Sequence, residues 1–209
     1  MRRFGPRPGA FFDDVYRDTP PWDIGGPQPA LLEMVRRFPP GGLVLDIGCG
    51  SGDLAIALAE EGHEVLGIDF VPNAIDHALR KAVTLSPAVQ GRLEFRVADA
   101  LHPSKLGTPV RAVVDSGFFH LFDPDEGDRF VAELARTLSP GGRYYLLAFA
   151  VAFPIPHSPR GVTIEEVRER FSPAHGWRVL ECQPAEFLNR IAAPVPATCV
   201  CVERLHDDH

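Results

Sequence analysis

Residues 43–52 of the chain, Leu-Val-Leu-Asp-Ile-Gly-Cys-Gly-Ser-Gly, decide its fold. The apolar run at 43–47 is too short for a helix and contains β-branched residues, which predicts a strand buried on both faces. The glycines after it, at every second position, allow a sharp turn and the close approach of a ligand. Residues 53–61 then have the composition of a helix packed on a sheet. A strand, a glycine turn and a helix open a nucleotide-binding type of α/β fold.

A second apolar strand, residues 64–69, also ends in an acid, Asp69. Asp69 lies 21 residues beyond Gly48. In nucleotide-binding folds about 20 residues separate the glycine turn from the carboxylate that meets the ribose. Because an ionised carboxylate accepts hydrogen bonds from both ribose hydroxyls, the spacing predicts a ribose-containing ligand between the turn and Asp69.

The rest of the chain alternates strands and helices up to about residue 150, which predicts a parallel sheet with right-handed crossovers. Further strands are expected at 93–97, 111–115 and 143–150, and helices at 28–37, 72–81 and 124–138. After a proline-rich loop, Thr163 and Glu166 have the spacing of a capping box that opens a helix ending at Phe171. Residues 177–181 and 198–203 are expected as a hairpin-like edge.

The composition, with 45% hydrophobic and 23% charged residues in 209, fits one domain with a sizeable core. The net charge of −7 offers no basic stripe for nucleic acid, and no apolar run has the length of a signal peptide or a membrane span. We therefore expect a cytoplasmic protein, a monomer or homodimer, without nucleic-acid or membrane partners. No cysteine pair has C-x-x-C spacing, and no metal site is expected.

The glycine turn distinguishes two kinds of nucleotide ligand. A dinucleotide fingerprint requires a third glycine where this chain has Asp53. Asp46, directly before the turn, also disfavours a pyrophosphate, since like charges repel in a poorly solvated site. A ligand with a cationic centre and a ribose fits better.

The ordered motifs over residues 40–150, namely 43–52, Asp69, Asp99, Asp115 and the 139–143 turn, resemble the class I S-adenosylmethionine-dependent methyltransferases. The resemblance implies a Rossmann-like, doubly wound sheet of seven strands with an antiparallel last strand, and S-adenosylmethionine as the cofactor. It implies contacts to the methionine portion from Asp46, Gly48, Cys49, Gly50, Ser51 and Gly52. It implies ribose contacts from Asp69, adenine contacts from Phe70, Val71, Asp99 and Ala100, and a place in the active-site strand for Asp115.

The N-terminal stretch is similar to the segment before the core in the thiopurine, halide/thiol and bacterial heterocycle methyltransferases. The similarity runs from Tyr16 through Trp22 to Pro29. It implies a lid that folds over the cofactor, with Trp22 near the methionine end and Tyr16 in the substrate pocket; the alternative is that the stretch only covers an edge of the sheet. The expected division of the single domain is 1–39 for lid and helix, 40–150 for the cofactor-binding core, and 151–209 for the acceptor side.

A methyltransferase of this branch places a small-molecule acceptor in line with the methyl group and excludes water. The acceptor is expected to be a thiol, a halide or chalcogen, or a hydroxylated heterocycle. His120 is the first candidate for a general base, His157 the second and His102 a weaker third; each would look the same in sequence as a histidine that lines a cleft. Aromatic pocket walls are expected from Phe118, Phe119 and Phe153, which could equally be core residues.

Two other functions remain open at this point. The chain could bind S-adenosylmethionine without catalysis. It could also be a nicotinamide-dependent reductase, although Asp46, Asp53 and the lack of a Tyr-x-x-x-Lys pair argue against this.

Overall fold

The strands belong to one sheet in a computed structural model of the chain, which describes residues 1–5 and 7–206. They are β1 Val44–Ile47, β2 Val65–Asp69, β3 Leu93–Val97, β4 Val110–Ser116, β5 Leu138–Phe149, β6 Trp177–Phe187 and β7 Val195–Arg204. Their order is β3-β2-β1-β4-β5-β7-β6. The pairs from β3 to β5 are parallel, whereas β7 is antiparallel to both its neighbours. The predicted seven-stranded, doubly wound sheet is confirmed.

Helices connect and cover the strands. They are α1 Pro8–Val15, α2 Pro29–Arg37, α3 Asp53–Glu60, α4 Pro72–Ala82, α5 Pro87–Gln90, α6 Pro124–Thr137 and α7 Ile164–Arg170. Short 3-10 turns occur at Arg2–Phe4, Pro103–Leu106, Phe119–Leu121 and Pro173–His175. Five of the helices, α1, α2, α4, α5 and α6, begin with proline. Proline suits this place because its fixed φ is already helical and its missing N–H has no partner there in any case.

The prediction that β5 begins at residue 143 was wrong, because the strand begins at Leu138. Leu138 pairs with Val110, and the next pair is Arg143 with Ala112, so residues 139–142 bulge out of the ladder. Gly141 has a φ of 73°, which a side chain would disfavour. The Ser-Pro-Gly-Gly segment is therefore a bulge within the strand.

The predicted capping box at Thr163 forms only in part. The Thr163 side chain accepts a hydrogen bond from the Glu166 N–H at 3.2 Å. The Glu166 carboxylate turns instead to Arg160, with N···O distances of 2.6 and 2.7 Å. A charge-assisted pair with a buried guanidinium is stronger than a bond to one backbone N–H. The full capping box lies at Asp123 and Glu126, at the start of α6.

Buried apolar residues cover both faces of the sheet in two clusters. One contains side chains of α6 and α7 and of the first 16 residues; the other contains side chains of α2 and α3. Cys199 and Cys201 lie on the same face of β7 and are buried in the second cluster. The parallel strands place their carboxyl ends at one edge, where Asp46 and Asp69 lie. This is the edge at which ligands bind in open α/β sheets.

Candidate active site

The glycine turn between β1 and α3 has the backbone that the sequence predicts. Gly48, Gly50 and Gly52 have φ values of 63°, 55° and 82°. A Cβ on Gly50 would lie 2.5 Å from the Tyr16 hydroxyl oxygen, and one on Gly48 would lie 2.8 Å from the Phe118 ring. Glycine is therefore required for the turn itself and for the close contact of Tyr16 above it.

Two buried carboxyl groups flank this turn. Asp46 is 1% exposed, and its Oδ2 has no hydrogen-bond partner. Burial and then the nearby Asp115 carboxylate raise the pKa of Asp46 well above its ordinary value. Asp69 accepts hydrogen bonds from the N–H groups of Gly50 and Val71 at 3.1 and 2.9 Å, and burial raises its pKa. Asp46 thus presents an unsatisfied oxygen, whereas Asp69 is held rigidly.

A cavity of about 500 Å³ lies over these groups. Most of the residues predicted for the site line it: Tyr16, Trp22, Asp46, Gly48, Cys49, Gly50, Ser51, Asp69, Phe70, Val71, Phe118, His120, Phe153 and His157. A volume of this size is typical of small-molecule sites. The described part of the wall contains no lysine and no arginine.

The other five predicted residues, Gly52, Asp99, Ala100, Asp115 and Phe119, are not in the wall. Gly52 packs against Phe95. Asp99 is exposed, and its Oδ2 lies 2.6 Å from Nδ1 of His102. The side chains of Ala100 and Phe119 are in the apolar core.

Asp115 supports the wall from behind. Its carboxylate accepts hydrogen bonds from the N–H groups of Phe118 at 2.7 Å and Phe119 at 3.1 Å, and from the Tyr144 hydroxyl at 2.7 Å. Burial raises the pKa of Asp115 to about 7 in spite of these bonds. The side chain thus fixes the turn that carries Phe118 and His120.

Residues 1–5 and 7–28, here called the N-terminal arm, cover the cavity. Phe12 packs edge-on against Phe70 with ring centroids 6.0 Å apart, and Trp22 donates its indole N–H to the Tyr16 hydroxyl at 3.2 Å. The arm is fastened to the glycine turn by the Ser51 hydroxyl, which donates to Asp23 at 2.6 Å. Besides residues of the predicted lid stretch, Tyr16 to Pro29, the arm contributes Phe4, Phe11 and Phe12 to the cavity wall.

The loop between β6 and β7, residues 188–194, forms another part of the wall that the sequence did not predict. Gln28 of the arm holds it through two hydrogen bonds, donating to the Leu188 carbonyl at 2.9 Å and accepting from the Leu188 N–H at 2.8 Å. Arg190 donates to the carbonyls of Thr19 and Pro21. No local motif in the sequence marks this loop.

His120 lines the cavity but is poorly suited to accept a proton. Its Nδ1 accepts a hydrogen bond from the Phe149 N–H at 3.1 Å, so the neutral ring carries its proton on Nε2. Burial and then the Arg160 guanidinium lower the pKa of His120 to about 3. Nε2 makes no hydrogen bond, and it is not one of the fully buried polar atoms that lack a partner among the described residues, so it is accessible from the cavity. His120 therefore presents an N–H donor to the cavity.

His157 has the opposite arrangement. Its Nδ1 lies 2.9 Å from the carbonyl oxygen of Arg3. Because a carbonyl only accepts, Nδ1 carries the proton and Nε2 keeps its lone pair in the neutral ring. The two predicted histidines thus offer a donor and an acceptor to the same cavity.

Comparisons with known proteins identify the family. A family model described as a methyltransferase domain matches residues 44–142. A curated relative from Mycobacteroides abscessus, 2-heptyl-1-hydroxyquinolin-4(1H)-one methyltransferase, is 33% identical over 172 residues, covering 79% of this chain and 72% of the relative. The chain belongs to the methyltransferase family. The resemblance stated from its motifs is confirmed, and S-adenosylmethionine is the cofactor of this methyltransferase.

Solved structures agree with this assignment. One, from work on the conversion of a disulfide bond into a thioacetal group during echinomycin biosynthesis, matches with a TM-score of 0.81 and 29% identity, covering 96% of the methyltransferase and 94% of that chain. A Burkholderia thailandensis 1,6-didemethyltoxoflavin-N1-methyltransferase with bound 1,6-didemethyltoxoflavin and S-adenosylhomocysteine has a TM-score of 0.72 at 20% identity, with 95% and 87% coverage. The latter shows a shared fold.

The site of this methyltransferase fits the cofactor chemically. The unpartnered Asp46 Oδ2 is a buried acceptor that lacks a donor, and a cationic amino acid portion supplies one. The left-handed glycine turn lets a ligand lie directly on the backbone. Among the described residues no helix is long and apolar enough to cross a membrane.

Proposed function

We propose that this methyltransferase transfers the methyl group to a hydroxyl oxygen of a neutral, flat heterocycle. The observation that carries the proposal is the acceptor side of the cavity wall, where Phe118, Phe149, Phe153 and Phe187 supply aromatic faces. No lysine or arginine lines the described wall. A halide or another small anion would lose its hydration there without gaining a cationic side chain as a partner.

The same proposal assigns roles in cofactor binding to particular residues. Asp46 and the turn 48–51 hold the methionine portion, Asp69 accepts from the ribose hydroxyls, and Phe70 packs on the adenine. In this scheme residues 1–39 cover the ligands, 40–150 bind the cofactor and 151–209 shape the acceptor side. Support comes from the positions of Asp46, Asp69 and Phe70 in the cavity wall. Asp99 and Ala100 have no such support.

The named relative supports the acceptor class. The Mycobacteroides abscessus enzyme is named for a hydroxyquinolinone, which is a flat heterocycle with a hydroxyl group. The aromatic pairs around the acceptor side, such as Phe149 with Phe187 at 5.0 Å and Phe149 with Phe153 at 5.5 Å, provide edges and faces for a flat ring.

A sulfur acceptor is the second candidate. The observation that favours it is the neutral, weakly basic His120, since a thiolate needs no base at all. The relative studied for the conversion of a disulfide into a thioacetal group points in the same direction.

The chain's contribution to the reaction is mainly placement. When bound, the cofactor supplies an electrophilic methyl group on a positively charged sulfur. The arm and the 188–194 loop enclose the acceptor and exclude water, and the aromatic wall fixes the plane of the ring. Such positioning can supply about 7 to 11 kcal/mol. The His120 N–H can hold an acceptor oxygen by a hydrogen bond.

The test is an acceptor panel with the purified protein and S-adenosylmethionine, with S-adenosylhomocysteine release and product mass as readouts. Hydroxyquinolines and N-hydroxyquinolinones should be methylated, iodide and tellurite should not, and thiols measure the second candidate. Iodide as the best acceptor would refute the proposal. Calorimetry with S-adenosylhomocysteine and NAD runs in parallel; binding of the former without turnover of any acceptor would support a non-catalytic binding protein.

A further inference from the structure

The loop after β5 contains a residue with an unusual backbone. His157 has a φ of 56°, the one left-handed non-glycine residue in the described ranges 1–5 and 7–206. Histidine adopts this region more readily than most side chains, but the conformation is still uncommon and concentrates at functional sites. The ring of His157 lines the cavity. The residue with this uncommon backbone conformation therefore contributes an imidazole to the cavity wall.

Arg3 fixes the orientation of this ring. The Arg3 carbonyl accepts from His157 Nδ1 at 2.9 Å. The Arg3 side chain donates from Nε to the Ser158 carbonyl at 3.2 Å and from Nη1 to Asp123 at 3.3 Å. Backbone and side chain of one residue thus clamp consecutive residues of the loop. The Phe11 ring lies beside the imidazole, with the two ring centroids 6.0 Å apart.

A carbonyl that accepts a hydrogen bond from one ring nitrogen fixes the tautomer and the orientation of a catalytic histidine. The hydrogen bond at one ring nitrogen decides which nitrogen keeps the lone pair. In His157 it leaves the lone pair on Nε2. In His120 the lone pair on Nδ1 is already used by the Phe149 N–H, and Nε2 carries the proton. Of these two histidines only His157 offers an unused lone pair.

We propose that His157 Nε2 takes the proton of the acceptor hydroxyl, and that the Arg3 carbonyl of the N-terminal arm holds His157 in the tautomer that can do so. This rests on the proposed function, a hydroxyl acceptor. As the O–H bond breaks, its proton goes to Nε2 and its electron pair stays on the oxygen. The oxygen forms a bond to the methyl carbon, and the carbon–sulfur bond breaks with its pair left on sulfur. The exposed imidazolium then releases the proton to water.

The geometry makes the base depend on the arm. The carbonyl that orients His157 lies 154 residues away in sequence, and it reaches the ring only when the arm is docked. The Arg3 guanidinium is itself paired with Asp123, the residue before α6, at 3.3 Å. Closure over the cofactor and assembly of the base are therefore one event.

The first test reads the tautomers without turnover. Nitrogen-15 NMR of the imidazoles should show His157 protonated at Nδ1 and His120 at Nε2. Arg3→Ala should shift the His157 signals toward an Nε2–H population because the clamp is loosened. Arg2→Ala is the matched control, since its side chain pairs with the same acidic cluster, at Asp123 and Asp125, without holding the loop. An Nε2–H His157 in the wild-type protein would overturn the proposal.

The second test is kinetic and uses His157→Asn. Asparagine tolerates the left-handed backbone, and its side-chain N–H can still donate to Arg3, so only the base is removed. The rate should fall about a hundredfold or more for hydroxyl acceptors that are protonated at the assay pH. It should stay near wild type for acceptors of low enough pKa to be already ionised. An equal loss for both kinds of acceptor would overturn the proposal.

Failure of the acceptor class can be told apart from failure of His157. If the methyltransferase accepts thiols and no hydroxyl compounds, the proposed function fails, and the same comparison is made over thiols of rising pKa. His120→Asn is the kinetic control, because its Oδ1 can replace Nδ1 as the acceptor for the Phe149 N–H. Its loss of rate should not depend on the pKa of the acceptor; such a dependence would assign the proton transfer to His120 instead.

Discussion

Asp115 and His120 should have opposite effects on the pH dependence of stability. Asp115→Asn replaces a buried carboxyl group by an amide that still accepts from the N–H groups of Phe118 and Phe119. His120→Asn keeps the acceptor for the Phe149 N–H. Neither change leaves a cavity of a whole side chain. The two variants and their double mutant therefore isolate the protonation of each group.

The pKa values give the magnitudes. Burial raises the pKa of Asp115 from 3.8 to about 7, so its folded form holds a proton that the unfolded chain has lost, and stability falls as the pH rises through this window. The pKa of His120 falls from 6.5 to about 3, so stability falls as the pH drops. Each difference is worth about 4 to 5 kcal/mol over its whole range. Between about pH 4.5 and 6.5 each changes stability by about 3 kcal/mol, in opposite directions.

The assay is urea unfolding of the four proteins at several pH values, with the free energies extrapolated to water. Relative to wild type, Asp115→Asn should gain about 3 kcal/mol as the pH rises from about 4.5 to 6.5, and His120→Asn should lose about as much. The double mutant should follow the wild-type pH profile. Asp46 is present in all four proteins, but burial and then the Asp115 carboxylate raise its pKa, so the pH dependence assigned to Asp115 includes its coupling to Asp46.

Two results would refute the reasoning. Differences that do not change with pH would show that burial leaves these two groups with ordinary pKa values. Differences of the same sign would show that the assignment of the charged and neutral forms is wrong. Asp18→Asn, an exposed carboxylate, is the control for removing one acidic charge without removing a buried one.

Further predictions concern ligand binding. Asp46→Asn should raise the melting temperature of the ligand-free protein, because an unpartnered buried carboxylate is removed, and should weaken cofactor binding about tenfold or more by calorimetry; a destabilised variant with full affinity would contradict this. Asp69→Ala should weaken cofactor binding about tenfold or more, whereas Asp99→Ala should leave it unchanged. Weaker binding in Asp99→Ala than in Asp69→Ala would show that Asp99 contacts the cofactor. Asp23→Asn should speed the release of S-adenosylhomocysteine in stopped-flow fluorescence, because it weakens the hydrogen bond from Ser51 that fastens the arm to the glycine turn. An unchanged release rate would show that this hydrogen bond does not hold the arm closed. Ile191→Asp should raise KM for apolar acceptors with little change in kcat, since this exposed side chain lies at the cavity wall; a loss confined to kcat would exclude that role.

The sequence predicted the features that local pattern determines. Short, contiguous segments determine a buried strand, a turn that only glycine can make, and an acid at the end of the next strand. The alternation of strands and helices along the chain was enough to predict a parallel sheet, whereas the seven strands and the antiparallel last strand were implied by the family resemblance. The 139–142 bulge was missed because it depends on the pairing of Val110 with Leu138, and a Ser-Pro-Gly-Gly segment reads equally well as a turn.

The chemistry of the site was less predictable because it depends on distant backbone groups. The sequence named both His120 and His157 as candidates, but their tautomers are set by the Phe149 N–H and the Arg3 carbonyl. The helix α1 was also missed, because a short segment with Pro8 and a glycine has weak helical propensity and owes its form to packing.

The two hydrogen bonds between Gln28 and Leu188 also matter for engineering. They join the segment that covers the cofactor to the loop that borders the acceptor, although 160 residues separate them in sequence. An engineer who grafts the 188–194 loop from a relative to change the substrate range would break this pairing. We expect chimaeras to be active only when the loop and the arm are taken together from the same relative.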